Sequence, residues 1–183
     1  MFEKRPMELR RAQLEDVPAI LRIVRAVVPA MRASGNLQWD DGYPNAEVFA
    51  DDIAQGQLWV AEMDGRVAGV VALTTDQSPE YAQAGWDIEE PAIVVHRLAV
   101  DPGFQGRGVA IALMQQAEVV ADELGIVRVR VDTNTHNQVT QRLLPKLGYE
   151  LSGEIGLEFR PGLRFFCYEK LLAAAGALHG NRG

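Results

Sequence analysis

Apolar residues return every three to four positions across residues 15–33, placing Val17, Ile20, Val24, Val27 and Met31 on one side of a helix. Ser34, Gly35 and Asn36 stop that pattern. Residues 8–12 before it read as a short strand, and residues 46–55 after it as a second, shorter helix. Residues 58–63 and 66–75 are strand-like runs joined by Asp64 and Gly65. An Asp-Gly pair tolerates the positive φ angles of a two-residue hairpin turn, so these runs are expected to pair antiparallel. Residues 75–91 carry Pro79, Gly85 and several acids with little periodicity and read as a loop.

The second half of the chain repeats the alternation. Residues 93–100 form an apolar strand, and residues 109–124 a helix with Val109, Leu113, Ala117, Val120 and Leu124 on one face and Gly125 at its end. Residues 126–132 alternate Val127, Val129 and Val131 with Arg128, Arg130 and Asp132, the period of a strand buried on one side. A helix over 137–147, a strand over 149–154 and a last strand over 163–171 follow. Residues 173–183 are small and polar and are expected to fray. Strands and helices in this order predict an α/β sandwich around a mixed central sheet of about seven strands flanked by helices.

At 183 residues the chain is sized for one domain, taken as 1–183 with its core over 7–172. A formal net charge of −7 argues against a nucleic-acid or anionic-membrane surface, either of which calls for a basic stripe. No apolar run approaches the ~20 residues of a membrane helix, and no secretory pattern opens the chain, so a cytoplasmic location is expected. The single cysteine, Cys167, lies in an apolar run with Phe165, Phe166 and Tyr168 and reads as a buried strand residue, not a nucleophile. No His, Cys or carboxylate spacing matches a metal site, so no metal is expected.

The chemistry concentrates in Gln105, Gly106, Arg107, Gly108, Val109 and Ala110, set between the 93–100 strand and the 109–124 helix. A strand that turns through glycines into a helix start presents backbone N–H groups with no intrahelical partner, and the helix dipole adds positive potential there. Phosphates bind at such places. A nucleoside-triphosphate loop needs a Lys followed by Ser or Thr after its last glycine, and neither is present. A dinucleotide loop needs a third glycine where Ile111 stands, and an acidic residue roughly 20 positions on.

What stands instead, Gln/Arg-x-x-Gly-x-Gly/Ala, resembles the acyl-CoA pyrophosphate loop of the GNAT superfamily, the general-control-related N-acetyltransferases. The resemblance runs over residues 7–172. His96, Arg97, Leu98, Ala99 and Val100 look like the end of that family's central strand, and residues 137–149, closing on Lys146, Leu147, Gly148 and Tyr149, look like its later helix. The segment Gln38, Trp39, Asp40, Asp41, Gly42, Tyr43, Pro44 is similar to one found in small bacterial members.

The resemblance implies an acetyl-CoA cosubstrate held by Leu98, Ala99, Val100 and by 105–110. Its pantetheine arm would lie between two splayed strands, hydrogen-bonded like an added strand. It further implies that the Leu98 N–H faces the thioester carbonyl and that His96, matching a histidine of the aralkylamine branch, is the general base. His96 also reads as a structural residue paired with a neighbouring strand. Asn137 reads both as a helix N-cap and as a pantetheine contact. Arg107 reads as a pyrophosphate partner or as a mere flank of the loop.

Leu144 stands where many members carry the tyrosine that protonates the departing thiolate, while Tyr149 reads as core. His136 and His179 are weaker candidates. For the acceptor side, Trp39 and Tyr43, with Trp86, Asp87, Glu89 and Glu90, would suit a cationic amine. The competing reading has Trp39 capping the core and the acids forming a solvated loop face.

An alkyl amine with pKa near ~10.4 is mostly protonated at neutral pH, so some group must take its proton before it attacks the thioester. The expected activity is direct transfer from acetyl-CoA to a small primary amine. Peptide N-termini are the competing acceptor, and an acyl-CoA sensing module is the competing class. A homodimer is left open.

Overall fold

The structure is a computed structural model that describes residues 6–173. The tail beyond residue 173, including His179, lies outside the described residues. The chain divides into two compact units, Met1–Leu73 with His96–Gln116, and Thr74–Val95 with Ala117–Gly183. It is a mixed α/β protein whose seven-stranded sheet, flanked by helices, has the order β1-β2-β3-β4-β5-β7-β6.

The first unit opens with β1 (Glu8–Arg11), a 3-10 turn (Leu14–Asp16) and α1 (Val17–Ala33), followed by α2 (Ala46–Ala54), β2 (Leu58–Met63) and β3 (Arg66–Thr74). Asp16 shows how side chains set the entry to α1: it accepts from the Gln13 N–H at 2.7 Å and from both terminal nitrogens of Arg10 at 2.8 and 2.9 Å. That fork holds the Asp16 carboxyl below its ordinary pKa, with Arg10 the main cause. Asn45 caps α2 by accepting from the Val48 N–H at 3.1 Å.

The hairpin forms as expected. Asp64 and Gly65 take φ of 52° and 73°, and β2 pairs antiparallel with β3. β1 adds antiparallel to β2. The unit's core joins Ile20, Ile23, Val24 and Val28 of α1 to Trp39, Phe49, Leu58, Val60 and Val70. The buried stripe of α1 is therefore turned slightly from the expected one, with Val17, Val27 and Met31 packed at its margin.

β4 (Ile93–Val100) and α3 (Val109–Glu123) each run from one unit into the other along the chain. The second unit adds a 3-10 turn (Pro79–Ala84), β5 (Arg128–Asn134), α4 (Gln138–Lys146), β6 (Glu150–Gly156) and β7 (Arg164–Leu171). Within it β4 pairs parallel with β5 over Ile93–Val95 against Val129–Val131, while β7 pairs antiparallel with both β5 and β6. Its core joins Tyr81, Trp86, Val94, Ile155, Phe165 and Cys167.

Two expectations are corrected. Leu124 lies beyond the end of α3 and is 59% exposed; Met114 and Ala121 take the buried places instead. Arg130, assigned by alternation to a polar face, is only 2% exposed. The segment containing Gln77, Trp86 and Asp87 covers that face of β5, and its polar atoms satisfy the guanidinium, as detailed below.

Candidate functional site

The loop after β4 is built by its own backbone and one carboxylate. Asp101 accepts from the Gly103 N–H at 2.8 Å and opens a 3-10 turn, Pro102–Phe104, while its own N–H donates to the Ala68 carbonyl of β3 at 2.8 Å. Gly106 and Gly108 then take φ of 74° and 81°, a left-handed conformation that side chains with a Cβ resist. Gly108 supplies the carbonyl that accepts the first helical bond of α3, from the Ala112 N–H at 3.0 Å. The N–H groups of Val109, Ala110 and Ile111 therefore precede any intrahelical acceptor. Residues 105–108 are exposed and Val109 is buried, so the amide array opens to solvent while its first helical side chain anchors it.

That anchor depends on Gly69 of β3. A Cβ there would lie 2.7 Å from Val109 Cγ1, 3.0 Å from Leu113 Cδ1 and 3.1 Å from the Ala99 carbonyl oxygen. The missing side chain lets the start of α3 sit directly on the strand. Two cations border the loop. Arg107 donates to Asp64 at 3.2 Å and lies 5.2 Å from the centre of the Phe104 ring, and Arg66 lies 5.6 Å from the same ring. Arg66 was not singled out in the sequence because its nearness to the loop comes from the β2–β3 hairpin.

β4 carries a local distortion. Arg97 has φ of 52°, left-handed for a residue with a Cβ, at a cost of about 1–3 kcal/mol. Its guanidinium forks onto Asp52 of α2, Nε to Oδ2 and Nη2 to Oδ1, both at 2.7 Å. Nη1 donates to the Tyr43 hydroxyl at 3.3 Å, and Gln57 Nε2 adds a third donor to Asp52 at 2.9 Å. Burial works to lower the Arg97 pKa, but Asp52 and Tyr43 more than offset it and leave it raised. His96 and Leu98 on either side are half-buried, as is Val100, and Ala99 is buried.

Tyr43 reaches this cluster from a tight turn in which Asp40 Oδ1 accepts from the Gly42 and Tyr43 N–H groups at 2.8 and 2.9 Å. Trp39 is 5% exposed and belongs to the core, the placement expected of a residue that caps it. Beside the turn, α1 and residues 40–46 enclose a cavity of ≈ 420 Å³ whose wall includes Arg25, Asp40 and Asp41 next to Leu21 and Val24.

In the second unit, Asn137 caps α4 by accepting from the Thr140 N–H at 3.2 Å, so the capping role is filled. Leu144 is fully buried, Tyr149 is buried and His136 is exposed. Glu90 pairs with Arg128 of β5 at 2.6 Å and so ties the loop to that strand, while Asp87 Oδ1 accepts from the Glu89 N–H within the loop. Cys167 is buried and its thiol is pushed up to about 12 by burial, then by Asp132, which leaves it no nucleophile at neutral pH.

A residue the motifs did not indicate stands across from it in the β5–β7 register: Asp132, half-buried, accepts the Tyr81 hydroxyl hydrogen. Burial raises the Asp132 pKa above the ordinary carboxylate value, and burial and Asp132 together raise that of Tyr81. Only the tertiary pairing of residues 51 positions apart makes that group visible.

Among the described residues no helix is long and apolar enough to cross a membrane, and no three His, Cys, Asp or Glu side chains are grouped to hold a metal ion.

Residues 26–149 match the model of the Acetyltransferase (GNAT) family. YjgM of Escherichia coli (strain K12), an uncharacterized N-acetyltransferase, is 30% identical over 151 residues, covering 78% of this chain and 81% of its own. YesJ of Bacillus subtilis (strain 168), likewise an uncharacterized N-acetyltransferase, is 27% identical over 146 residues with the same coverage. A GNAT-family acetyltransferase from Streptococcus agalactiae 2603 superposes with a TM-score of 0.79 at 27% identity, covering 94% of this chain and 99% of that one. The fold is shared with yncA, a putative acetyltransferase of Salmonella typhimurium solved with its cofactor acetyl-CoA, at a TM-score of 0.67, 19% identity and coverage of 94% and 98%. The glycine-turned loop at the start of α3 and the match over most of the chain agree: this chain belongs to the GNAT family of acetyl-CoA-dependent acetyltransferases.

Proposed function

We propose that the chain, acting as one domain in the cytoplasm, transfers an acetyl group directly from acetyl-CoA to a primary amine of a small molecule. The observation that carries this reading is the exposed loop of residues 105–108. Both its glycines are left-handed, and it opens onto a helix whose first residue is pinned against a strand. Its amides, with Val109 and Ala110, take the pyrophosphate, as backbone donors at a helix start do. Arg107 assists, and releases Asp64 to do so.

Leu98, Ala99 and Val100 line the acyl end, the Leu98 N–H being the donor for the thioester carbonyl and for the oxyanion that replaces it. Asn137 contacts the pantetheine amide through the part of its side chain that the cap leaves over. His96, half-buried next to the strand's distortion, takes one proton from the acceptor ammonium and so frees the nitrogen lone pair for attack. The amine nitrogen then bonds to the thioester carbon, the C–S bond breaks, and the thiolate leaves. The nitrogen sheds its second proton as the amide forms, and because Leu144 has no proton to donate, water relays that proton to the thiolate. The buried, high-pKa Cys167 supports transfer without a covalent relay. Tyr43 and the cavity at 40–46 form the acceptor side with Trp39 behind them, and Asp40 and Asp41 favour a cationic acceptor.

Thermal denaturation with and without excess acetyl-CoA tests the reading. Ligand at ~100 times its dissociation constant adds about 2.7 kcal/mol. A rise in melting temperature with acetyl-CoA and CoA, but not with ATP or NAD, is expected, followed by thiol release with members of a primary-amine panel. No shift refutes the loop as an acyl-CoA site.

A further inference from the structure

We infer that Arg97 is a positioning residue whose guanidinium, locked to Asp52 and Tyr43, maintains the left-handed turn in β4 that sets the direction of the Leu98 N–H toward a bound acyl group. The inference rests on the acyl-CoA reading above and deepens it.

In a regular strand each N–H points along the direction of sheet pairing, and one residue in the left-handed region re-aims the group that follows, as bulges do. Glycine would adopt that conformation without cost, yet an arginine stands there. Something outside the backbone must hold it. Arg97 has a two-point fork to Asp52, itself buried and held by Gln57, and a third bond to Tyr43. A planar guanidinium gripped on two edges is fixed in orientation, and its stem restrains the backbone to which it is attached.

The same guanidinium gathers α2, the turn at residues 40–43 and β4 within one unit. The acceptor-side tyrosine and the acyl-facing strand end therefore share a single fixing point. A pair that only held the core together would need no left-handed residue beside Leu98.

The test compares acetyl-CoA with free CoA, because the two share the pyrophosphate contacts of 105–110 and differ only at the acyl group. Titration calorimetry of the full chain is run with both ligands on wild type, Asp52→Asn, Tyr43→Phe and the double variant Arg97→Met/Asp52→Leu, which leaves no lone buried charge. Melting curves establish that each variant is folded.

Wild type is expected to prefer acetyl-CoA. Asp52→Asn and the double variant should reduce that preference by about three- to tenfold, the worth of one hydrogen bond, while CoA affinity stays within about twofold. Tyr43→Phe should show a smaller change in the same direction. Equal loss of both affinities, no change in the preference, or a wild type that binds both alike overturns the positioning role. A wild type that binds neither overturns the acyl-CoA reading first and this inference with it.

Discussion

Arg97 and Arg130 are both arginines set into strands and paired with carboxylates, yet their backbones differ. Arg130 lies in regular β5, in register with Val94 on one side and Glu169 on the other. Its side chain donates to Glu169 at 2.7 Å, to the Gln77 side chain at 2.6 Å and to the Asp87 carbonyl at 2.9 Å, with the Trp86 ring centre 4.9 Å away. It fastens the segment from Gln77 to Glu90 onto an undistorted strand. Arg97 spends a comparable set of bonds on a strand residue that the backbone alone would not leave in that shape. The same side chain thus serves as a rivet in one unit and as a brace in the other, and φ distinguishes the two roles where pairing with a carboxylate does not.

The largest expected effect tests the rivet. Arg130→Ala strands Glu169 and Gln77 and should cost about 3–5 kcal/mol in urea unfolding, with loss of Trp86 fluorescence order in the folded protein. Arg97→Ala should approach that figure.

The next prediction contrasts Asp52 with Asp132. Asp52 has an arginine, whereas the side-chain partner of Asp132 is Tyr81. Burial raises the Asp132 pKa, so over the interval between the ordinary carboxylate value, near ~3.9, and the raised one, the folded protein keeps a proton that the unfolded chain releases. Stability falls as pH rises through that interval. Asp132→Asn, which still accepts from Tyr81, should therefore raise the melting temperature at pH 7–8, and the gain should fade as pH is lowered toward the ordinary carboxylate range. A pH-independent gain would break the argument.

A sign inversion sharpens the comparison further. Arg97→Gly should be more stable than Arg97→Ala by about 1 kcal/mol, because glycine accepts the left-handed φ; Arg130→Gly should be less stable than Arg130→Ala by about 0.5–1 kcal/mol, because a regular strand penalises glycine. The same order of effects at both sites would mean that Arg97 is not strained. The smallest effect concerns Tyr149, whose buried hydroxyl has no hydrogen-bond partner among the described residues. Tyr149→Phe should leave the free energy of unfolding in urea unchanged or raise it by up to about 1 kcal/mol.

The elements with strong local signals were legible in the sequence. The Asp64–Gly65 turn, the glycines at 106 and 108 and the apolar period of α1 all lie where their chemistry places them, because each is decided within a few residues. Arg130 was misread because alternation assumes an uncovered polar face, and the covering segment lies some 40 to 50 positions away in sequence. The Arg97–Asp52 and Tyr81–Asp132 pairs were invisible for the same reason, since no local pattern specifies a partner 45 or 51 residues distant. The short 3-10 turns among the described residues fell below the length at which periodicity can be read.

Gly69 carries a consequence for the thermodynamics of ligand capture. Because the start of α3 rests on a strand position without a side chain, and Asp101 closes the turn before it, the solvent-facing loop of residues 105–108 is ordered when the chain folds. On the acyl-CoA reading proposed above, a pyrophosphate arriving there would meet a preorganised surface and lose little affinity to loop entropy. Shifting Val109 by a few tenths of an ångström with a methyl group at residue 69 would move that ordering cost from folding to binding.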